Sequence, residues 1–400
     1  MTVTVIGGGA AGMMAALTAA EQGNRVLLLE RQNRVGRKLL ATGNGRCNLT
    51  NLNQSPEYYH GAHPAFLAPA MEAFSAPDAL EFFEALGLLT VAEDSGRVYP
   101  LSDQAGSVVD VLRFALEAAG VELRTEFDVT AIKQTKTGFK ISSPSESILT
   151  EKVIICCGGM AGGKLGGTRS GYELLQSFGH SLTKIYPVLV QLKTDNTWVR
   201  SLKGVRADAS VTLKRGGEVL AESAGEVQFA DYGVSGPAIF EISRAAASAK
   251  GELSVHLDLL RNLDFNQVQN IIRQRQQSMP TLTLENLLTG MVHNRLGRTV
   301  LRYAGYDLNA PVSSLKPNDI KKIAGALGDF ALPITGNMGF DGAQVTAGGI
   351  RTDEFRPDTL ESKLVPGLYA AGEVLDVDGD CGGYNLQWAW ASGRLAGKTL

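Results

Sequence analysis

The first thirty residues contain the feature that restricts the fold most, a glycine-rich turn between an apolar strand and an apolar helix. β-Branched residues predict a strand at 2–6, and helix-forming residues predict a helix that runs to about Gln22. The turn between them, Gly7-Gly8-Gly9-Ala10-Ala11-Gly12, matches the pattern GxGxxG. A second apolar strand follows at 25–30. This order of elements predicts a parallel sheet that binds a dinucleotide at the start of the helix.

Each glycine of the pattern has a separate physical role. Gly7 makes the tight turn, Gly9 lets a pyrophosphate approach the backbone, and Gly12 lets the helix pack closely on the strand. Glu30 ends the second strand, where a carboxylate can bind the hydroxyls of a ribose. An acidic residue disfavours a 2′-phosphate at this position, so we expect FAD or NAD rather than NADP as the bound dinucleotide.

The C-terminal segment favours FAD over NAD. A strand is predicted at 367–372, Glu373 follows it, and Gly382-Gly383-Tyr384-Asn385-Leu386-Gln387 opens a helix. The Glu373 carboxylate can hold ribityl hydroxyls, and N–H groups at a helix start stabilise the negative edge of a reduced flavin. An enzyme that binds only NAD has no use for this second polar segment. We therefore expect both chain ends to form one FAD-binding domain.

The stretch at 36–51, rich in Gly, Asn and basic residues, is expected to pass under the pyrophosphate and reach the flavin ring. Arg37 or Lys38 would lie near the phosphates. Four polar side chains are expected to contact the flavin or the substrate: Thr42, Asn44, Arg46 and Asn48. Arg46 and Asn48 are also the candidates for catalytic contacts. A solvated surface loop is the alternative interpretation.

Three other features have weaker implications. Cys47 lies in the flavin loop and could form a redox pair with Cys381, although packing beside the cofactor is the commoner outcome for such a cysteine. Residues 158–164 resemble a phosphate-binding loop, but residue 165 is leucine, so the hydroxyl that would bind Mg²⁺ is missing. The histidines are scattered, and even the neighbouring pair at 60 and 63 lacks carboxylates at ligand spacing, so no metal site is expected.

The composition excludes several partner classes. The 38 basic residues nearly balance the 41 acidic ones, which argues against binding to nucleic acid or an anionic membrane. The uncharged stretch at 3–20 contains four glycines and changes from strand to helix formers, so it is neither a signal peptide nor a membrane span. Four cysteines without a CxxC pair suggest free thiols in a reducing cytoplasm. The oligomeric state is left open.

The middle of the chain has a different character. Residues 207–213 and 218–229 predict an antiparallel hairpin, whereas 264–278 and 284–303 carry apolar residues at helical spacing. We therefore expect an α/β fold with a discontinuous Rossmann-like FAD-binding domain, an inserted β-rich domain and a small helical subdomain. The predicted boundaries are 1–190 plus 341–400 for the FAD domain, 191–255 plus 312–340 for the β-rich domain, and 256–311 for the helical subdomain.

Several blocks of sequence resemble the BaiN/YhiN-type flavoproteins, a bacterial family of aminoacetone-oxidase-like or NAD(P)/FAD-dependent oxidoreductases. The matching blocks are GGGAAG at 7–12, GRKLLATGNGRCNLTN at 36–51, GRVYPLSDQA at 96–105, YGVSGPAI at 232–239, VTAGG at 345–349 and AGEVLDVDGDCGGYNLQWAWASG at 371–393. This chain departs from the family pattern at Gly163 and Ser170, where family members usually carry Pro and Asp. The resemblance implies the fold described above.

The resemblance implies C=C reduction of steroid type for some relatives and aminoacetone oxidation for others. We therefore expect a FAD-dependent oxidoreductase that moves a hydride between flavin N5 and a small organic substrate at the interface with the inserted region. NADH or NADPH is expected as a transient co-substrate of a reductase, and Tyr384 is a possible proton donor. An amine or alcohol oxidase that uses oxygen is the alternative, and a flavoprotein that binds or modifies RNA is less expected.

The residues expected to contact FAD come from five parts of the chain. They are Gly7, Gly9, Ala10, Ala11, Gly12, Glu30, Arg31, Arg37, Lys38, Thr42, Gly43, Asn44, Cys47, Asn48, Val129, Cys157, Gly158, Gly159, Gly372, Glu373, Gly383, Tyr384, Asn385 and Leu386.

Overall fold

A computed structural model describes residues 1–400, which are organised into two units, 1–187 with 343–400 and 188–342. The helices are α1 (Ala10–Glu21), α2 (Ala68–Ala73), α3 (Ala76–Ala85), α4 (Ala105–Ala118), α5 (Ser170–Gln176), α6 (Asn196–Val199), α7 (Pro237–Ser248), α8 (Phe265–Ser278), α9 (Asn294–Tyr303), α10 (Pro317–Gly328), α11 (Gly339–Gly342) and α12 (Tyr384–Lys398). The strands are β1 (Thr2–Ile6), β2 (Arg25–Leu29), β3 (Thr50–Asn51), β4 (Tyr59–His60), β5 (Thr90–Ala92), β6 (Arg97–Pro100), β7 (Glu122–Arg124), β8 (Ala131–Thr135), β9 (Gly138–Ser142), β10 (Ser147–Thr150), β11 (Lys152–Ile155), β12 (Tyr186–Val188), β13 (Leu192–Thr194), β14 (Arg206–Arg215), β15 (Glu218–Ala230), β16 (Gly233–Ser235), β17 (Leu253–Asp258), β18 (Phe330–Asn337), β19 (Val345–Ala347), β20 (Leu368–Ala370) and β21 (Asp378–Gly379).

The first unit is built on a five-stranded parallel sheet with the order β20-β11-β1-β2-β7. Its central strands are rich in Val, Ile and Leu because a parallel sheet is covered on both faces. The strand from the C-terminal part of the chain, β20, pairs directly with β11. The discontinuous Rossmann-type fold expected from the sequence is confirmed.

Helices α1 and α12 pack against each other through small residues. A Cβ atom on Gly393 would overlap the carbonyl oxygen of Ala11, and one on Gly397 would overlap that of Ala15. Since only glycine allows this approach, these two positions fix how closely α12 lies on α1. Gly372 is also placed by α12, because its N–H donates to the Ser392 hydroxyl at 3.0 Å.

The second unit contains a closed six-stranded barrel with the order β13-β16-β15-β14-β17-β18. Helices α7, α8, α9 and α10 contribute apolar residues to the same hydrophobic core as the barrel strands, including Ile239, Ile272, Val300 and Ile323. The helical segment and the barrel therefore share one core. The predicted division at 255/256 falls within strand β17.

One predicted element is shorter than expected. The helix predicted over 284–303 begins at Asn294, because Gly290 has a φ of 82° and interrupts the helical backbone before it. None of the helices combines the length and apolar character that a membrane span requires.

Candidate functional site

Four parallel strands end beside the residues that the sequence assigns to the cofactor. Strand β1 is followed by the glycine turn, β2 by Glu30, β11 by Cys157 and its glycines, and β20 by Gly372 and Glu373. Hydrogen bonds join these ends: the N–H of Gly7 donates to Leu29 at 2.8 Å, and that of Ala371 donates to Ile155 at 3.1 Å. Ligands of open parallel sheets bind outside the carboxyl ends of the strands, which is where these residues converge.

The start of α1 offers uncapped N–H groups. Gly9 is the N-cap residue and supplies no side-chain cap, and the first turn contains no acidic residue. The first intrahelical bond runs from the Met13 N–H to the Gly9 carbonyl at 2.9 Å, so the N–H groups of Ala10, Ala11 and Gly12 remain for an anion. A Cβ atom on Gly9 would meet nothing within 4 Å, whereas one on Gly12 would overlap the carbonyl oxygen of Gly7. Gly9 therefore borders open space, and Gly12 is needed for packing.

Glu30 is fixed beside the turn by two backbone groups. Its carboxylate accepts hydrogen bonds from the N–H of Gly8 and the N–H of Gln32, both at 2.7 Å. The neighbouring Arg31 has a buried Nε without a hydrogen-bond partner. A buried donor without a partner carries a free-energy penalty that a ligand can relieve, so Arg31 fits a role in cofactor binding.

The loop predicted to reach the flavin has an unusual backbone. Residues Leu39–Gly45 form a 3-10 helix that is interrupted by left-handed residues. Asn44 and Cys47 have φ values of 57° and 64°, which are rare outside glycine. Gly43 shares this conformation, and the Thr42 hydroxyl donates to the Leu39 carbonyl at 2.7 Å. Such outliers cluster at functional sites, which supports a ligand-binding role for this loop.

Asn48 connects this loop to the start of α12. Its side-chain oxygen is buried and has no hydrogen-bond partner. The same oxygen would lie 2.9 Å from a Cβ atom on Gly383, which has a φ of 101° and is the N-cap residue of α12. No side chain caps this helix either. An unpaired acceptor beside uncapped N–H groups matches the mixed polar edge of a flavin ring.

Lys38 and Glu373 join the loop to the C-terminal segment. Their side chains form an ion pair with an N–O distance of 2.6 Å and are 30% and 20% exposed. Glu373 also accepts a hydrogen bond from the Thr346 N–H at 2.8 Å, and Gly159 lies against both Thr346 and Glu373. Arg37 instead donates to Gln32 at 2.5 Å and to the Lys164 carbonyl at 3.2 Å.

Three other predicted residues make contacts within the protein. Asn385 accepts from the Gly379 N–H at 2.8 Å and donates to the Gly379 carbonyl at 2.7 Å. Tyr384 is buried, and its ring stacks on Tyr58 with 4.6 Å between centroids. Its hydroxyl donates to the Asn53 carbonyl at 3.4 Å. Leu386 is half-buried beside them.

Arg46 lies against the hairpin of β5 and β6. Its guanidinium group forms ion pairs with Glu93 at 2.9 Å and Asp103 at 3.3 Å, and it stacks over the ring of Tyr99 at 3.8 Å. The block at 96–105, which matched the flavoprotein family, supplies two of these partners. Arg46 is therefore already engaged, whereas Asn48 is not.

Cys47 and Cys156 are buried thiols, whereas Cys157 and Cys381 are half-buried. Burial raises the pKa of Cys47 and that of Cys157 to about 12, and it raises the pKa of Cys156 well above its ordinary value. A neutral thiol is a poor nucleophile, which disfavours a redox role for Cys47. Gly158 borders open space next to Cys157, and Val129 is buried in the core of the first unit.

Two features of this site were not assigned a role from the sequence. Thr346 connects Glu373 to the Ala161 N–H, which donates to its hydroxyl at 2.9 Å. His60 pairs with Asp380 at 2.7 Å on the segment that leads to α12. The VTAGG block contains Thr346 and was the available signal for it, but no local pattern marks the pairing of His60 with Asp380.

FAD fits the residues present. The uncapped start of α1, the open space at Gly9 and the unpaired atoms of Arg31 and Asn48 provide the donors, acceptor and room that this cofactor requires. Glu30 and Glu373 would hold its two sugar-like parts. The fold and site are those of a FAD-dependent oxidoreductase.

Comparison with known proteins agrees with this assignment to the FAD-dependent oxidoreductases. A family model described as "HI0933-like protein Rossmann domain" matches residues 1–399, and the chain belongs to this family. The sequence is 42% identical to a 3-dehydro-bile acid delta(4,6)-reductase of Clostridium scindens over 402 residues, which cover 99% of this chain and 98% of that protein. It is 32% identical to a ribosomal RNA dihydrouridine synthase of Escherichia coli, with 99% of this chain and 97% of that protein covered. The resemblance to BaiN/YhiN-type flavoproteins is thereby confirmed.

A solved structure shares the fold. The 3-ketosteroid delta1-dehydrogenase from Sterolibacterium denitrificans matches with a TM-score of 0.52 at 14% identity, and the match covers 99% of this chain and 98% of that chain. At this level of identity the likeness concerns the fold alone.

Proposed function

We propose that this protein reduces a carbon–carbon double bond conjugated with a carbonyl group. The full-length match to a reductase, at 42% identity, carries the proposal. Bound FAD supplies the hydride for such a reduction. The uridine ring also contains a double bond conjugated with a carbonyl, so the names of both kinds of relative describe one type of chemistry.

We further propose NADH or NADPH as the electron donor. The sequence contains no second GxGxxG between a strand and a helix, so the nicotinamide would bind transiently and not at a Rossmann site of its own. The free thiols support a reducing cytoplasm as the location.

A small molecule is the substrate that we favour. The helical part of the second unit carries many arginines, but several are used within the unit. Arg275 donates to the carbonyls of Leu287 and Thr289 at 2.6 and 2.8 Å, and Arg261 pairs with Asp208 at 2.8 Å. Binding to an RNA backbone needs basic side chains that can reach phosphates, and these two are engaged.

Product analysis tests the proposal. The holoenzyme is incubated anaerobically with NADH or NADPH and one acceptor at a time: 4-androstene-3,17-dione, 2-cyclohexenone or a ribosomal RNA fragment. We expect a saturated ketone from at least one enone. If dihydrouridine in the RNA fragment is the only reduced product, the substrate is RNA and not a small molecule. Inertness towards all three acceptors, with oxygen-dependent turnover of aminoacetone, would refute the proposal in favour of an oxidase.

A further inference from the structure

The first unit contains a histidine–carboxylate pair whose carboxylate lies between two parts of the predicted cofactor site. His60 Nε2 and Asp380 Oδ1 are 2.7 Å apart, with side-chain exposures of 29% and 37%. Asp380 lies between Glu373 and Gly383, which both belong to the candidate cofactor site. The pair is therefore close in sequence to the cofactor residues and is accessible to a ligand and to water.

Strand pairing and hydrogen bonds hold the backbone around His60 against residues 376–380. Strand β4 pairs with β21 in antiparallel register, with His60 opposite Asp378. The Asp380 N–H donates to the Tyr58 carbonyl at 2.9 Å, and the Ala62 N–H donates to the Asp376 carboxylate at 3.1 Å. His60 is therefore held by bonds on both sides, so its ring has a defined position.

The ring nitrogens of His60 are used asymmetrically. Nε2 binds Asp380, whereas Nδ1 has no hydrogen-bond partner in the protein. By contrast, His180 and His256 each use both nitrogens: His180 binds Glu354 and Ser362, and His256 binds Asp329 and Ser254. A carboxylate on one ring nitrogen fixes the orientation of an imidazole and leaves the other nitrogen for proton transfer.

Reduction of an enone needs a proton as well as a hydride. The β-carbon accepts the hydride with its two electrons, and the electrons of the double bond move to the α-carbon, which must then be protonated. Tyr384 is not suited to this step, since it is buried and its hydroxyl binds the Asn53 carbonyl. Histidine is the side chain that both holds and releases a proton near neutral pH.

We propose that His60 is the proton donor of the reduction, with Asp380 as its positioning residue. This inference rests on the proposed function. The Nδ1–H of the protonated ring passes its proton to the α-carbon, the ring becomes neutral and retains its Nε2–H bond to Asp380, and water restores the proton. The substrate thus gains one hydride and one proton, and no further reactant is needed.

Separate half-reactions test the assignment. Reduction of the bound flavin by NADH does not involve His60, whereas its reoxidation by 2-cyclohexenone or 4-androstene-3,17-dione requires the proton. In H60Q we expect unchanged flavin content and unchanged reduction, but reoxidation slower by about 10²- to 10⁴-fold, the usual contribution of a general acid. H256Q, which alters a second histidine–aspartate pair, is the matched control and should reoxidise like the wild type.

A proton NMR spectrum gives a readout that is independent of turnover. We expect a downfield Nε2–H resonance that disappears in both H60Q and D380N but remains in H256Q. Partial rescue of H60A by added imidazole would further separate proton donation from a structural role. Wild-type reoxidation rates in H60Q would overturn the inference and leave the proposed function intact. Failure of both the enones and the ribosomal RNA fragment to reoxidise the wild-type flavin would overturn both.

Discussion

The same added methyl group should have different effects at two glycines of the same turn: weaker FAD binding at Gly9 and lower stability at Gly12. In the structure a Cβ atom on Gly9 meets nothing within 4 Å, whereas one on Gly12 overlaps the carbonyl oxygen of Gly7. Gly9 also has φ and ψ of −81° and −169°, which alanine can adopt. Gly9→Ala should therefore affect mainly the space reserved for the cofactor, and Gly12→Ala mainly the folded chain.

The expected changes in unfolding free energy and in FAD affinity follow from these positions. Helix propensity alone would make Gly12→Ala stabilising by about 0.5–1 kcal/mol, but overpacking of this kind costs about 1–3 kcal/mol. We expect a net loss of about 1–2 kcal/mol in the apoprotein. For Gly9→Ala the apoprotein should change by less than about 1 kcal/mol. The pyrophosphate can no longer reach the backbone, so FAD affinity should fall about 10- to 100-fold, or about 1.4–2.8 kcal/mol.

Urea unfolding of the two apoproteins and fluorescence titration with FAD measure these quantities. Wild-type apoprotein is the reference in both assays. If Gly9→Ala binds FAD as tightly as the wild type, the open space at Gly9 is not where the cofactor lies, and the interpretation of the turn is wrong.

Three further predictions concern the helix contact, the ion pair and the response to acid. Gly393→Ala should destabilise the chain by about 1–3 kcal/mol in urea unfolding, because α12 must move away from Ala11; unchanged stability would contradict the close packing of the helices. Glu373→Gln should weaken FAD binding about tenfold in the fluorescence titration, since Lys38 loses its partner and the ribityl contact loses its charge; equal affinity would exclude Glu373 from the site. Burial lowers the pKa of His180 below its ordinary value of 6.5, so the unfolded chain binds this proton more readily and stability should fall as the pH decreases below about 6.5. A His180→Gln variant whose urea midpoint falls as steeply with pH as that of the wild type would contradict this explanation.

The fold and the cofactor could be predicted because their signals are local. The turn at 7–12 lies between a strand and a helix within thirty residues, and the structure shows the close packing expected at Gly12. The return of the C-terminal segment to the parallel sheet, through β20, could be predicted because a strand followed by a polar glycine segment is a local pattern as well.

The ion-pair partners of Arg46 and Lys38 could not be predicted from the sequence, because they are distant along the chain. Arg46 was expected at the flavin, but its guanidinium group lies between Glu93 and Asp103, which are distant in sequence. Lys38 was expected at the phosphates, yet in the structure it pairs with Glu373. Such ion pairs depend on which loops meet in the folded chain, and residue type and spacing alone do not determine that.

Reoxidation of the reduced flavin by an enone is the most direct test of the central claim. The holoenzyme is reduced with NADH under anaerobic conditions, 4-androstene-3,17-dione or 2-cyclohexenone is added, and the flavin absorbance is followed. The account predicts that the oxidised flavin spectrum returns and that an equal amount of saturated ketone forms. A flavin that stays reduced with every enone but is reoxidised rapidly by oxygen during aminoacetone turnover would contradict it.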